Sequence, residues 1–123
     1  MRSKIIAFDL DDVLCSRSSE KGDIEKYSSC LPNKKMIKIL NECYANGYKI
    51  VIYTARGMTV FKGNVNEIYS NLFELTSSQL RKWGIKYHQL IMGKVHFDLF
   101  IDDKAINSSQ IKDFSDIRNF LKD

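Results

Sequence analysis

Three carboxylates, Asp9, Asp11 and Asp12, follow directly on the apolar run Ile5–Phe8. In a strand with alternating side chains, Asp9 and Asp11 point to the same side. Two anions a few ångströms apart repel one another unless a cation or a shared proton offsets them. Such a cluster at the C-terminal end of a strand is a metal site, a nucleophile paired with an acid, or a solvated acidic turn. The segment alone leaves all three open.

The rest of the chain supplies candidate partners. Thr54, Ala55 and Arg56 follow a second apolar run, Lys94 follows a third, and Asp102 and Asp103 follow a fourth. Carboxylates converging with a hydroxyl and a lysine need a divalent ion, and all-oxygen ligation suits Mg²⁺. A hard cation, a hydroxyl and a lysine are what phosphoryl transfer uses. Arg56 is either a substrate contact or a solvent-exposed loop residue. Cys15 lies near the acids, but carboxylates raise a thiol's pKa, so packing is its better role. A lone His88 or His96 reads as structural or solvated, because hard Mg²⁺ does not favour imidazole. Trp83 reads as core.

The elements that must position these groups alternate in type. Strands are expected at 5–8, 48–53, 88–92 and 98–101. Residues 15–33, with Gly22 and the only proline, Pro32, read as a long loop. A helix is expected over 33–45, ended by Asn46-Gly47. After a mixed stretch from 57 to about 64 a second helical region is expected, clearest over 76–83, with Thr76 as N-cap and Gln79 three residues on. The tail from Ser108 carries Ile111, Phe114, Ile117, Phe120 and Leu121 at helical spacing, enough to cover one sheet face. Alternation of this kind implies an α/β fold with a central parallel sheet and helices on both faces. Ligands of such folds bind beyond the C-terminal ends of the strands, where the candidate residues fall.

Composition narrows the class further. The 123 residues suit one domain, 1–123, with 44% hydrophobic and 28% charged residues. The formal charge of +4 is spread among both signs, with no basic stripe to follow a nucleic-acid backbone. Three cysteines, Cys15, Cys30 and Cys43, form no paired motif, which points to a reducing compartment. No run is long and apolar enough for a membrane span or a signal-peptide core. A cytoplasmic protein is expected.

Taken in order, Phe8-Asp9-Leu10-Asp11-Asp12-Val13, Ile52-Tyr53-Thr54-Ala55-Arg56-Gly57, Lys94 and Phe100-Ile101-Asp102-Asp103-Lys104 resemble the four-part signature of the haloacid dehalogenase (HAD) superfamily. The resemblance spans roughly the whole chain. It is nearest to small phosphatase-like members associated with capsular or surface-polysaccharide biosynthesis, whose ending looks like Ile101 to Asn107. It implies a three-layer Rossmann-like fold. Asp9 would be the nucleophile that forms an aspartyl-phosphate, and Asp11 the acid and then the base. Mg²⁺ would sit on Asp9, the backbone carbonyl of Asp11, and Asp102, with Asp103 as ligand or one shell out. Thr54 and Lys94 would bind the phosphoryl group, with Ala55 and Arg56 beside it.

Three departures mark a subgroup. Asp12 and Val13 stand where glycine and threonine are frequent, and Val95 follows Lys94 where proline is common. Lys82, Lys86 and Lys104 are therefore alternative lysines. Neither 15–33 nor 57–93 is long enough for a separate cap with its own core. A capless, open site favours hydrolysis. The expectation is a Mg²⁺-dependent phosphomonoesterase acting on a small phosphorylated sugar, polyol or related metabolite, with specificity from the two loops or a neighbouring subunit of a homo-oligomer. A polynucleotide 3′-phosphatase, a phosphotransferase and a non-catalytic phospho-ligand module are the alternatives.

Overall fold

The structure, a computed structural model, describes residues 3–17 and 25–122. Three parallel strands form its centre: β1 (Ile5–Phe8), β4 (Lys49–Thr54) and β5 (Gln89–Met92), in the order β1-β4-β5. The register pairs Ile5 with Lys49 and Phe8 with Ile52, and then Ile52 with Leu90 and Thr54 with Met92. Between β1 and β4, a two-residue antiparallel pair, β2 (Cys15–Ser16) with β3 (Leu31–Pro32), brackets the short helix α1 (Glu25–Ser28). The stretch expected as a loop is therefore partly structured; its residues 18–24, Gly22 among them, lie outside the described residues. Pro32, which cannot donate to a ladder, sits on this small outlying pair.

The crossover helices follow from caps and stripes. Helix α2 (Lys34–Ala45) begins where Asn33 accepts from the Met36 N–H, and it buries Met36, Ile37, Leu40 and Cys43 against β4. Helix α3 (Val65–Lys82) begins where the helical region after about residue 64 is expected. Its N-cap is Asn64, which accepts from the Glu67 N–H, and not Thr76. The buried stripe Ile68, Leu72, Thr76 and Leu80 runs at four-residue spacing, so Thr76 is mid-helix and packed. Thr76 looks like a start signal in the sequence because Gln79, three residues on, completes a capping-box pattern.

The core takes one pleat parity of the sheet. Phe8, Ile50, Ile52, Leu90 and Met92 join the cluster with α2 and α3 residues. On the other parity Ile5, Ala7, Tyr53 and Gln89 are exposed, while Ile91 is half-buried and Val51 buried. The helical cover expected on this second face is not found among the described residues. The tail forms a short 3₁₀ turn (Ser108–Gln110) and α4 (Phe114–Phe120), which packs on α2 with Ile117 buried. Leu14, Cys15, Tyr27 and Cys30 enter the main core, so among the described residues the insertion after β1 builds no separate cap.

The fourth strand expected at 98–101 is not formed among the described residues. From Val95 to Ile106 the chain is an arm with no strand pairing, and Val95, Leu99, Phe100 and Ile101 are exposed. Among the described residues no helix is long and apolar enough to cross a membrane.

Candidate functional site

Asp9 directly follows β1, and its carboxylate is held on both sides. Oδ1 accepts from the Leu10 N–H at 2.8 Å, and Oδ2 faces the Lys94 ammonium at 3.7 Å. Burial pushes the Asp9 carboxyl above its ordinary range. The Leu10 N–H and Lys94 pull it back, while Asp11 and Asp12 add to the rise. Lys94 is fixed by its backbone, whose N–H donates to the Thr54 carbonyl at 3.1 Å. Its ammonium lies 5.7 Å from the Tyr53 ring centroid and 5.2 Å from that of Phe97. Among the described residues Lys94 is the cation paired with Asp9, whereas Lys82 closes α3 beside Trp83 and Lys86 is tied through its backbone to Asn41.

Asp11 is turned to a different partner. Arg56 Nη2 donates to its Oδ1 at 2.8 Å and Nε to its Oδ2 at 3.1 Å, a two-pronged pair. Burial alone would raise this carboxyl, but the Arg56 hydrogen bonds and charge outweigh it and hold Asp11 below the usual carboxylate range. Arg56 is 2% exposed. Its Nη1 donates to Thr76 Oγ1 at 3.2 Å and Gln79 Oε1 at 2.6 Å, and Nη2 also approaches the Cys15 and Cys30 sulfurs. The Tyr27 ring lies 4.9 Å from the guanidinium carbon. All five donors are thus engaged.

This placement corrects one expectation: Arg56 is not an exposed loop residue, because it is 2% exposed and its donors are engaged inside the core. It also explains a triad of Asp11, Cys15 and Cys30 whose ligand atoms lie within 4.8 Å of one another. The guanidinium already supplies the positive charge there. Burial and the nearby Asp11 raise the Cys15 thiol, and burial raises Cys30, so neither sulfur offers a thiolate. Thr76 and Gln79 were missed as site residues. The signal was present, since a polar Thr76 on the Ile68-Leu72-Leu80 stripe calls for a buried partner.

Thr54, 1% exposed, ends β4 on the core parity, and its Oγ1 accepts the Arg56 N–H at 3.0 Å. The hydroxyl proton remains to be donated. Ala55 is half-buried at the same strand end. Gly57 lets the chain turn away, with φ of +84° and a Cβ position 2.6 Å from Leu72 Cδ1, and its N–H donates to the Tyr27 hydroxyl at 3.0 Å. Asp12 adopts φ of +71°, the left-handed conformation that suits the glycine frequent at this position of the resemblance.

Asp102 and Asp103 are not brought in. Both are exposed, and Asp102 Oδ1 accepts from the Asp103 N–H. Neither forms with Asp9 and Asp11 a group compact enough to hold a metal among the described residues. The reason is local: without a strand at 98–101, nothing delivers them to the rim. Lys104 is exposed with them. A groove between α2 and α3, lined by Ile37, Asn41 and Trp83, contains none of these carboxylates.

A crystal structure of an MCSG target from Vibrio cholerae is similar to this chain, with a TM-score of 0.81 and 28% identity over 95% of each chain. No family model and no curated protein matches it. The architecture is therefore shared with a solved protein, while its chemistry must be argued from the residues.

Proposed function

We propose that the protein is a HAD-type phosphomonoesterase, Mg²⁺-dependent, acting on a small phosphorylated sugar, polyol or related metabolite through an aspartyl-phosphate on Asp9. The three-layer HAD fold and the capless, open site belong to this reading. The observation that carries it is the setting of Asp9: one oxygen held by the Leu10 N–H, the other open toward Lys94, at the C-terminal end of a parallel strand. Oδ2 attacks phosphorus as the phosphorus–ester oxygen bond breaks, the leaving oxygen taking its proton from water; a second water then attacks the acyl-phosphate, releasing phosphate and restoring the Asp9 carboxylate. Lys94 offsets the added negative charge, and the Thr54 hydroxyl donates to a phosphoryl oxygen.

The residues of one chain meet the metal only in part. Asp9 and the Asp11 carbonyl are oxygen donors of the kind Mg²⁺ takes, but Asp102 and Asp103 stand apart, so the donor set is incomplete in a single copy. When bound, Mg²⁺ supplies charge neutralisation for the phosphoryl group. The acid–base task that the resemblance gives Asp11 is opposed by its pair with Arg56, which favours the ionised carboxylate. In this reading the Arg56 clamp sets the position of Asp11, and Asp11 takes a proton only when the clamp opens.

The test is a phosphate-release screen across sugar, polyol, amino-alcohol, nucleotide and oligonucleotide phosphates. Release in Mg²⁺, its loss in EDTA, and a fall of at least about a thousandfold in Asp9→Asn are expected. Wild-type release by Asp9→Asn would sink the reading.

A further inference from the structure

β1 is an edge strand. β4 pairs with one side of it, and no strand among the described residues pairs with the other. The face beside that open edge exposes Ile5 and Ala7. The same chain carries an apolar arm with no sheet to join: Leu99 is 75% exposed, Phe100 54% and Ile101 88%. An unpaired edge and an exposed apolar strand-former in one molecule are complementary, and each is a liability in water when left alone.

Geometry decides whether the arm can close on its own β1. Parallel pairing that brings Asp102 level with Asp9 sets Asp98 opposite Ile5 and Ile101 opposite Phe8. Phe8 pairs with Ile52, so Thr54 lies level with Leu10, and Lys94 is bonded to the Thr54 carbonyl. From there, Asp98 would lie five residues down the sheet, about 16 Å, and two strand spacings across, about 10 Å. The separation is roughly 19 Å, whereas the four links from Lys94 to Asp98 reach at most about 14 Å. A chain that keeps Lys94 at Asp9 cannot reach its own β1 edge.

We propose that the arm is exchanged between two copies of this chain, adding as a parallel strand to the free edge of the partner subunit's β1 and carrying Asp102 and Asp103 to the partner's Asp9. Each copy gives an arm and receives one, so the pairing closes as a symmetric dimer. The strand expected at 98–101 then forms between molecules. Lys94 stays with its own Asp9, anchored between Tyr53 and Phe97, and the arm departs from that anchor. Two sites result, each with Asp9, Thr54 and Lys94 from one copy and Asp102 from the other. The role of the delivered carboxylates rests on the phosphatase reading; the exchange does not.

The experiment is oxidation of the full chain carrying Ala7→Cys and Phe100→Cys, followed by non-reducing electrophoresis. In the exchanged register these two positions are neighbours at a strand spacing a disulfide spans. The native thiols are buried. A covalent dimer of twice 14.3 kDa that reduction collapses is expected. A cross-link within one chain, or none, overturns the proposal. Light scattering on the unaltered chain gives a second reading that does not depend on the cysteine variant folding: a dimer is expected, a monomer overturns the exchange. Co-refolding Asp9→Asn with Asp102→Asn then separates the two claims. Mixed dimers hold one intact site, so about one quarter of the parent turnover is expected. A covalent dimer without that recovery refutes the site assignment and leaves the exchange standing.

Discussion

Arg56 grips Asp11 with two nitrogens and gives its other donors to Thr76, Gln79 and two sulfurs, so the second carboxylate of the cluster is a structural anion as well as a site residue. Arg56→Gln would leave Asp11 buried without a countercharge. A loss of about 3–5 kcal/mol is expected in urea unfolding, and Arg56→Lys, which cannot make the two-pronged contact, should recover little of it. Asp9 predicts the opposite behaviour. Its carboxyl is raised, so the folded state disfavours the ionised form; that penalty is fully present above the folded pKa and vanishes below the unfolded value. Asp9→Asn should therefore unfold at higher urea than the parent at pH 7, with the difference shrinking as pH falls into the carboxylate range. For Asp11 the pKa is lowered, so its contribution is fully present above the ordinary carboxylate range and is lost progressively as the pH falls from that range through the folded value. At Asp12 the left-handed backbone should make Asp12→Gly stabilising by up to about 1 kcal/mol in the same assay. The types and spacing of Asp9, Thr54 and Lys94 were legible in the sequence because each follows an apolar run. The Arg56 network was not, since its partners come from three separate segments.

Elements with strong local signals follow the sequence closely. Asn33 caps α2, and Asn46-Gly47 ends it, because both boundaries rest on side chains and backbone within a few residues. The β4 strand starts at Lys49, one residue later than expected. The extent of helix α3 was legible after residue 64, but its cap was not: Asn64 caps it, while Thr76 sits mid-helix on the stripe with Ile68 and Leu72. Gly57 fixes the angle between β4 and that stretch. Gly57→Ala would push a methyl group into Leu72 at a positive φ, and a loss of about 1–3 kcal/mol is expected in thermal or urea unfolding. The same change at Gly47, where a Cβ meets open space, tests the steric share of that loss: the penalty there should be smaller. The expected strand at 98–101 has the right alternation and no local partner, which sequence pattern alone cannot reveal.

For the molecule as a whole, an α/β core of three parallel strands with α2 and α3 packed on one parity explains how Asp9, Asp11, Thr54 and Lys94 reach one rim. It does not by itself bring Asp102 there. Strand count and pairing partner are properties of tertiary and quaternary contact, so the second face, the arm and the incomplete donor set lay beyond any local reading. Exchange of the arm joins the last two of these in one arrangement. The central claim remains chemical, and it is tested most directly by acid-quenching the protein during turnover of a phosphomonoester in Mg²⁺ and mapping the phosphorylated peptide by mass spectrometry. The account predicts a hydroxylamine-labile phosphoryl group on Asp9, absent from Asp9→Asn. Steady release of phosphate with no such adduct on Asp9, or with the adduct on another residue, would contradict it.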